Sequence, residues 1–279
     1  MLFRHLLAPM TWTEIEEQSG YSAELTCAKI LWELPIAFHK AGVRLTELEV
    51  GTIPRYSNFA MLCPRPRHVT EASTWDDLSA ACEGLQAFKF CDGGCERVAR
   101  DHFPDKDKAY LDNYLGSILS RCGNRLRNID LSFYAFCINT GRRAGAQEGC
   151  YPVGPLIGGI QDLRRLERFK ISNVEMHQAE LDACCKKLGN DLEHISMYDV
   201  ILHDGRWADA VDILRQKATA RLGGCKTMLM FLAGGEFVAR GAEKSWKEIL
   251  NMTWFKQEPL LRETKRYLNG RREENLSEV

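Results

Sequence analysis

The sequence predicts an α/β fold built as a solenoid, with parallel strands on a concave face, helices on the convex face and helical caps at both ends. Three observations predict it. The frame G-N-x-L-x-x-I-x-(L/M) occurs twice, at residues 123–131 and 189–197. Relaxed to apolar-x-x-apolar-x-apolar, it recurs as Leu45/Leu48/Val50, Leu85/Phe88/Phe90, Leu126/Ile129/Leu131, Leu166/Phe169/Ile171, Leu192/Ile195/Met197 and, more weakly, Cys225/Met228/Met230. Helical periodicity stopped by glycine precedes several of these rungs, so helix, glycine stop and strand form the repeating unit.

The first positions of the rungs are 40, 41, 40, 26 and 33 residues apart. The period is irregular, but the order of elements is constant. A doubly wound α/β domain also alternates strand and helix. Six recurrences of one frame, with no glycine-rich nucleotide loop after any strand, favour the repeat.

Taken in order, Cys27, Leu31, Leu34, Phe38 and Ala41 form the stripe of a first helix, which Pro35 is expected to kink or break and Gly42 to end. Residues 1–42 constitute an N-terminal helical cap. Ser73 or Thr74 can cap a second helix, with Asp76 and Asp77 in its first turn and Leu78 and Cys82 facing inward. Leu111, Leu115, Ile118 and Cys122 mark a third, stopped at Gly123. Leu181, Cys184, Cys185 and Leu188 precede Gly189 in the same way, each glycine being suited to a left-handed cap. Trp207, Val211, Leu214 and Ala218 make the stripe between the last two rungs.

The repeat region spans residues 43–241. Two long stretches, 51–72 and 139–159, depart from it, the second being either a partner-binding flap or a disordered insertion. Residues 154–159, G-P-L-I-G-G, read as a turn entering a helix. Residues 242–270 carry Trp246, Trp254, Phe255 and Pro259 and are expected to form a C-terminal helical cap, followed by a disordered tail at 271–279.

Composition narrows the function. The 279 residues are 45% hydrophobic and 27% charged, and 37 Lys and Arg balance 38 Asp and Glu. A net charge of −1 gives no general attraction for nucleic acid or an anionic membrane. The apolar patch before Pro9 is too short for a signal segment, and no apolar window is long enough to span a bilayer. A soluble protein of the cytoplasm or nucleus is expected. The 11 cysteines lack paired zinc spacing, since Cys91 and Cys95 have no matching second pair. They read as reduced, small core hydrophobes, with a redox-labile loop pair as the alternative.

Catalytic signatures are missing. There is no G-x-S-x-G elbow or H-E-x-x-H helix, and residues 154–159 lack the Lys and Ser or Thr of a phosphate loop. His194, His203 and Asp204 are the one local cluster resembling a metal site, but the rung geometry separates His194 from His203. No catalytic residue, cofactor or metal is expected.

Residues 163–174 (L-R-R-L-E-R-F-K-I-S-N-V), the helix up to Leu188 and residues 192–202 (L-E-H-I-S-M-Y-D-V-I-L) resemble the leucine-rich repeats of F-box-type proteins, particularly divergent fungal ones. The resemblance covers residues 43–235. It implies a leucine-rich-repeat-like solenoid that presents a substrate protein to a ubiquitin ligase, whose adaptor docks on a separate F-box motif. The chain departs from that pattern upstream of the first rung, where residues 24–34 lack the Leu-Pro opening of an F-box.

The strand frame places Glu49, Lys89, Asp130, Lys170, Ser196 and Leu229 centrally on the concave face. Acid and base alternate over the first four, which makes either a neutralised surface or a charged recognition stripe. Beside them lie Glu47, Ala87, Asn128, Arg168, His194 and Thr227, and on the other flank Gly51, Cys91, Ser172, Tyr198 and Phe231. Lys89, Asp130, Arg168, Lys170, His194 and Tyr198 are the candidate partner-binding residues, since clustered arginine, histidine and tyrosine suit protein contacts. Three readings remain: a protein-interaction scaffold, an enzyme of unrecognised type, and a repeat fragment without a partner.

Overall fold

The computed structural model describes residues 21–51, 75–91, 105–122, 124–133, 150–219, 226–236, 238–239 and 242–243, with single positions at 262 and 266. Residues 1–20, the Ser73 and Thr74 cap, Gly123, nearly all of 51–72 and most of the C-terminal region lie outside them.

Helix α1, Tyr21–Lys40, continues through Pro35. Proline cannot donate to the carbonyl four residues earlier, so Leu31 loses its helical partner. The hydroxyl of Tyr114 donates to that oxygen at 3.2 Å instead. The helix ends as expected at Gly42, whose φ is 75°. Gly42 N–H donates to His39 O and Val43 N–H to Phe38 O, both at 2.9 Å, the paired bonds of a Schellman cap.

Strand β1 (Glu47–Val50), helix α2 (Trp75–Cys82), β2 (Ala87–Cys91), α3 (Asp105–Cys122) and β3 (Asn128–Ser132) follow. Next come β4 (Tyr151–Pro152), α4 (Gly154–Gly159), β5 (Arg168–Met176), α5 (Gln178–Lys187), β6 (His194–Arg206), α6 (Trp207–Thr219) and β7 (Lys226–Glu236). A two-residue antiparallel pair, β8 (Val238–Ala239) with β9 (Ala242–Glu243), closes the described chain. The start of the expected C-terminal helical cap is thus extended, while 262 and 266 are helical.

The main sheet is parallel and its order, β1-β2-β3-β5-β6-β7, is the order of the sequence. The helices pack on one another in chain order as well, from α1 on α2 to α5 on α6. Each strand start repeats one hydrogen-bond pattern. The carbonyls of Thr46, Gln86, Arg127 and Glu167 each accept two consecutive N–H groups of the next strand, at 2.7–3.1 Å. The apolar frame therefore stacks in three rows. Leu85, Leu126, Leu166 and Leu192 form one, Phe88, Ile129, Phe169 and Ile195 the second, and Phe90, Leu131, Ile171 and Met197 the third, all buried in one core.

The last rung is displaced by one residue. Thr227 pairs with Ile195 and Leu229 with Met197, so Met228 and Met230 do not hold the frame positions assigned to them. Consecutive apolar residues at 228–232 conceal the two-residue alternation, and a slip of one residue exchanges the faces.

Two further expectations change. Residues 154–159 are themselves a short helix, because Pro155 sits in the first turn where its missing N–H costs nothing. Lys187 donates to the carbonyls of Gly158 and Ile160 at its end. Gly189 is not left-handed; a Cβ there would run into the backbone carbonyl of Arg164. Its role is close approach of two chain segments rather than helix termination.

The cysteine expectation concerns packing. Cys82, Cys122, Cys150, Cys184 and Cys185 are buried, and desolvation pushes the thiols of Cys82, Cys122 and Cys184 up to about 12. Buried thiols of this kind are unreactive packing groups. Among the described residues no helix is long and apolar enough to cross a membrane.

Candidate functional site

The sheet face opposite the apolar rows carries the candidate residues. Parallel pairing keeps equivalent positions side by side, about 4.8 Å apart. Glu49, Lys89, Asp130, Lys170 and Ser196 are in register across five strands. The sixth member is Met228, not Leu229, because of the one-residue displacement of β7. For the same reason Lys226 replaces Thr227 beside His194, and Met230 replaces Phe231 beside Tyr198.

The alternating charges form two separate pairs. Lys89 Nζ donates to Glu49 Oε1 at 2.5 Å, and Lys170 Nζ to Asp130 Oδ2 at 2.9 Å. Glu49 raises the pKa of Lys89 by its hydrogen bond. At the strand starts Arg127 donates to Glu167 at 2.6 Å. These pairs join residues 40 positions apart in sequence, and each pair bridges neighbouring strands.

Ser196, expected to be exposed, is fully buried, as are Ser132 and Ser172. Ser132 Oγ, Ser172 Oγ, Ser196 Oγ, Asn128 Oδ1 and Asp130 Oδ1 are buried without a hydrogen-bond partner. Such groups are few in native proteins. Here all five lie on β3, β5 and β6.

Arg168 is exposed and stands in register with His194, which in turn pairs with Lys226. Tyr198 lies two rows further along β6, beside Ser172. The structure thus brings Arg168, Lys170, His194 and Tyr198 together on adjacent strands. Lys89 and Asp130 extend the same face towards β1.

β5 and β6 share a feature that periodicity alone does not show. Asn173 and Asp199 adopt positive φ values of 57° and 50°. Ser172 pairs with Tyr198 and Val174 with Val200, so the two irregular residues sit side by side. Asn and Asp tolerate this left-handed conformation best among residues with a Cβ. The extra residue lets Val174 and Val200 rejoin the buried face after Ile171 and Met197.

Beyond this paired bulge lies a second cluster. His177, the cap residue of α5, places Nδ1 2.9 Å from Asp204 Oδ2. Asp204 also accepts the N–H of Gln178 at 2.8 Å, and Glu180 that of His177 at 2.8 Å. The rings of His177 and His203 are 5.2 Å apart, and His203 Nε2 lies 3.6 Å from Glu175 Oε1. The hydrogen bond to Asp204 raises the pKa of His177; the bonds from Gln178 and then His177 lower that of Asp204. The Gln178 side chain accepts the Arg206 N–H, and Gly205 between them has a φ of 77°.

His194 and His203 sit near opposite ends of β6, separated by about 30 Å at 3.3 Å per residue. Among the described residues no three His, Cys, Asp or Glu groups are placed to hold a metal ion. The partner of His203 overlooked in the sequence is His177. Its signal was the spacing of 26 residues, the same offset that pairs Arg168 with His194. No protein-family model, curated protein or solved structure matches this chain, and the candidate site is accordingly defined by its own geometry, as a polar sheet face carrying paired charges, the exposed Arg168 and buried hydroxyls.

Proposed function

We propose that this chain is a leucine-rich-repeat-like solenoid acting as a non-enzymatic protein-interaction scaffold, with a polypeptide partner bound on the concave sheet face. The observation that carries the reading is the strand-start pattern repeated at Thr46, Gln86, Arg127 and Glu167, with three aligned rows of apolar residues behind it. Strands in strict sequence order, with no reversal, favour stacked repeats over a doubly wound sheet, whose order reverses at a switch point. Such a stack offers a broad polar face, which suits a polypeptide. The likeness to F-box-type repeats makes a protein awaiting ubiquitin transfer the expected class of partner, with the ligase adaptor as second partner.

A photo-crosslinking amino acid placed at Tyr198, on this face, should capture a polypeptide in cells, whereas the same group at the exposed Ala183 of α5 should not. Capture at Ala183 alone, or at neither position, overturns the scaffold assignment. Recovery of a ligase adaptor and cullin in the same purification supports the ubiquitin link; a captured partner without them leaves the scaffold and removes the link.

A further inference from the structure

Each rung enters its strand through a turn that stands at a fixed distance from the first strand residue. Three residues ahead of that residue lie Arg44 before Glu47, Gly84 before Ala87, Arg125 before Asn128, Arg165 before Arg168 and Asp191 before His194. Each immediately precedes the leucine that opens the apolar frame of its rung. Successive rungs stack about 4.8 Å apart, so these five positions form a column along the rim where the chain enters the sheet.

Arg44, Arg125 and Arg165 are exposed, and Gly84 between the first two is buried. A Cβ at Gly84 would stand 2.7 Å from both Cγ and Nε of Arg44, so the Arg44 side chain runs along the column across the rung that lacks a side chain of its own. Guanidinium groups thus follow one another over four rungs, about 14 Å. Elsewhere on this rim an arginine with an acid in reach takes it. Arg127 holds Glu167, and Arg164 holds Asp162. The three arginines of the column have no carboxylate partner among the described residues, and Glu83, exposed beside Gly84, pairs with none of them. Like charges on adjacent rungs repel, and a row left uncompensated in this way is the complement of a run of anions.

We propose that this rim is a second interaction surface, which takes an acidic polypeptide segment along Arg44, Arg125 and Arg165 across the rungs of β1, β2, β3 and β5. It goes beyond the concave-face contact and does not rest on it. A guanidinium forks onto a carboxylate with two parallel bonds, which gives direction as well as affinity. Four rungs match about four residues of extended chain at about 3.3 Å each. Asp191 puts an acid at the fifth position, so the track ends at the β5 rung. The flanking positions on either side, among them Val43, Asn124, Asn190, Thr46 and Gln86, carry no aromatic ring on which a base could stack, which favours a polypeptide over single-stranded nucleic acid. With a net charge of −1 the chain has no general field for anions, so the attraction is local and weakens as salt screens the column.

Fluorescence anisotropy of the full chain tests this with three labelled probes: hexaglutamate, hexaglutamine and single-stranded oligouridine of the same charge as hexaglutamate. Hexaglutamate should bind, hexaglutamine should not, and oligouridine should bind more weakly than hexaglutamate. Arg125→Glu and Arg165→Glu should each weaken hexaglutamate about tenfold or more, and Arg125→Gln by less. Lys186→Glu makes the same change of net charge at an exposed position of α5 and should leave binding within about twofold. Circular dichroism of each variant separates loss of binding from loss of fold. No binding of hexaglutamate, preference for oligouridine, an equal loss in Lys186→Glu, or indifference to both Arg125→Glu and Arg165→Glu each overturns the proposal. Crosslinking at Tyr198 reads the other surface: its failure discards the concave-face scaffold, while the anisotropy series alone decides the rim.

Discussion

A proline inside a helix leaves one carbonyl without its donor, and in α1 that carbonyl belongs to Leu31. Tyr114 reaches it from α3, 83 positions away in sequence. The ring is fully buried, and desolvation raises its pKa, so the hydroxyl stays protonated and can donate. The bond thus links the N-terminal helix to the core. Tyr114→Phe keeps the ring and removes the donor, leaving a carbonyl unsatisfied. The expected loss is about 1–3 kcal/mol, read from the midpoint of urea unfolding. Restoring a helical donor with Pro35→Ala in the same background should recover much of it. Proline was legible as a disturbance of the helix, but not as a tolerated one. The compensating group is remote in sequence, and no local pattern announces it.

At the scale of elements, α5 is fastened to the end of β6 by the side chain of Asp204 and by that of Gln178, which accepts the Arg206 N–H. Asp204 takes the Gln178 N–H and the His177 ring, while Glu180 takes the His177 N–H. The raised pKa of His177 means that its share of stability is complete below the ordinary histidine value and is lost as pH rises through the raised one. The lowered pKa of Asp204 means that its share is present above the ordinary aspartate value and is lost as pH falls through the lowered one. The clasp is strongest between the two. Asp204→Asn should therefore lower the melting temperature most near about pH 5–6 and least near about pH 9, where only the backbone contact remains to be weakened. A pH-independent difference would assign the whole effect to that backbone contact. The strands themselves were legible because rung residues recur as apolar-x-x-apolar-x-apolar, and five of six rungs keep the assigned register. Met228 to Leu232 broke the rule, since an unbroken apolar run has no parity to read. That Lys89, Asp130, Arg168, Lys170, His194 and Tyr198 share the sheet face opposite the apolar rows followed from the same frame. Their pairing did not, because which cation takes which carboxylate depends on side-chain reach.

For the molecule as a whole, the sheet position beside β5 is filled twice. β3 ends opposite Ser172 and β4 begins opposite Val174, so two separate pieces of chain continue one line. The rings of Phe133 and Tyr151 are stacked across the junction, 4.2 Å apart and 5° from parallel. Tyr151 is further anchored through its hydroxyl to Asp112 at 2.6 Å. Positions 134–149 therefore leave and return at nearly the same point. Chain length between two such fixed ends enters stability through the entropy of closing a loop, about 0.6 kcal/mol for each doubling. Replacing 136–147 by a short Gly-Ser linker should preserve the cooperative unfolding transition and shift its midpoint by no more than about 1 kcal/mol equivalent. The stacked rings are thus a clasp between two half-strands, holding the pieces in line across a break in the covalent course of the strand.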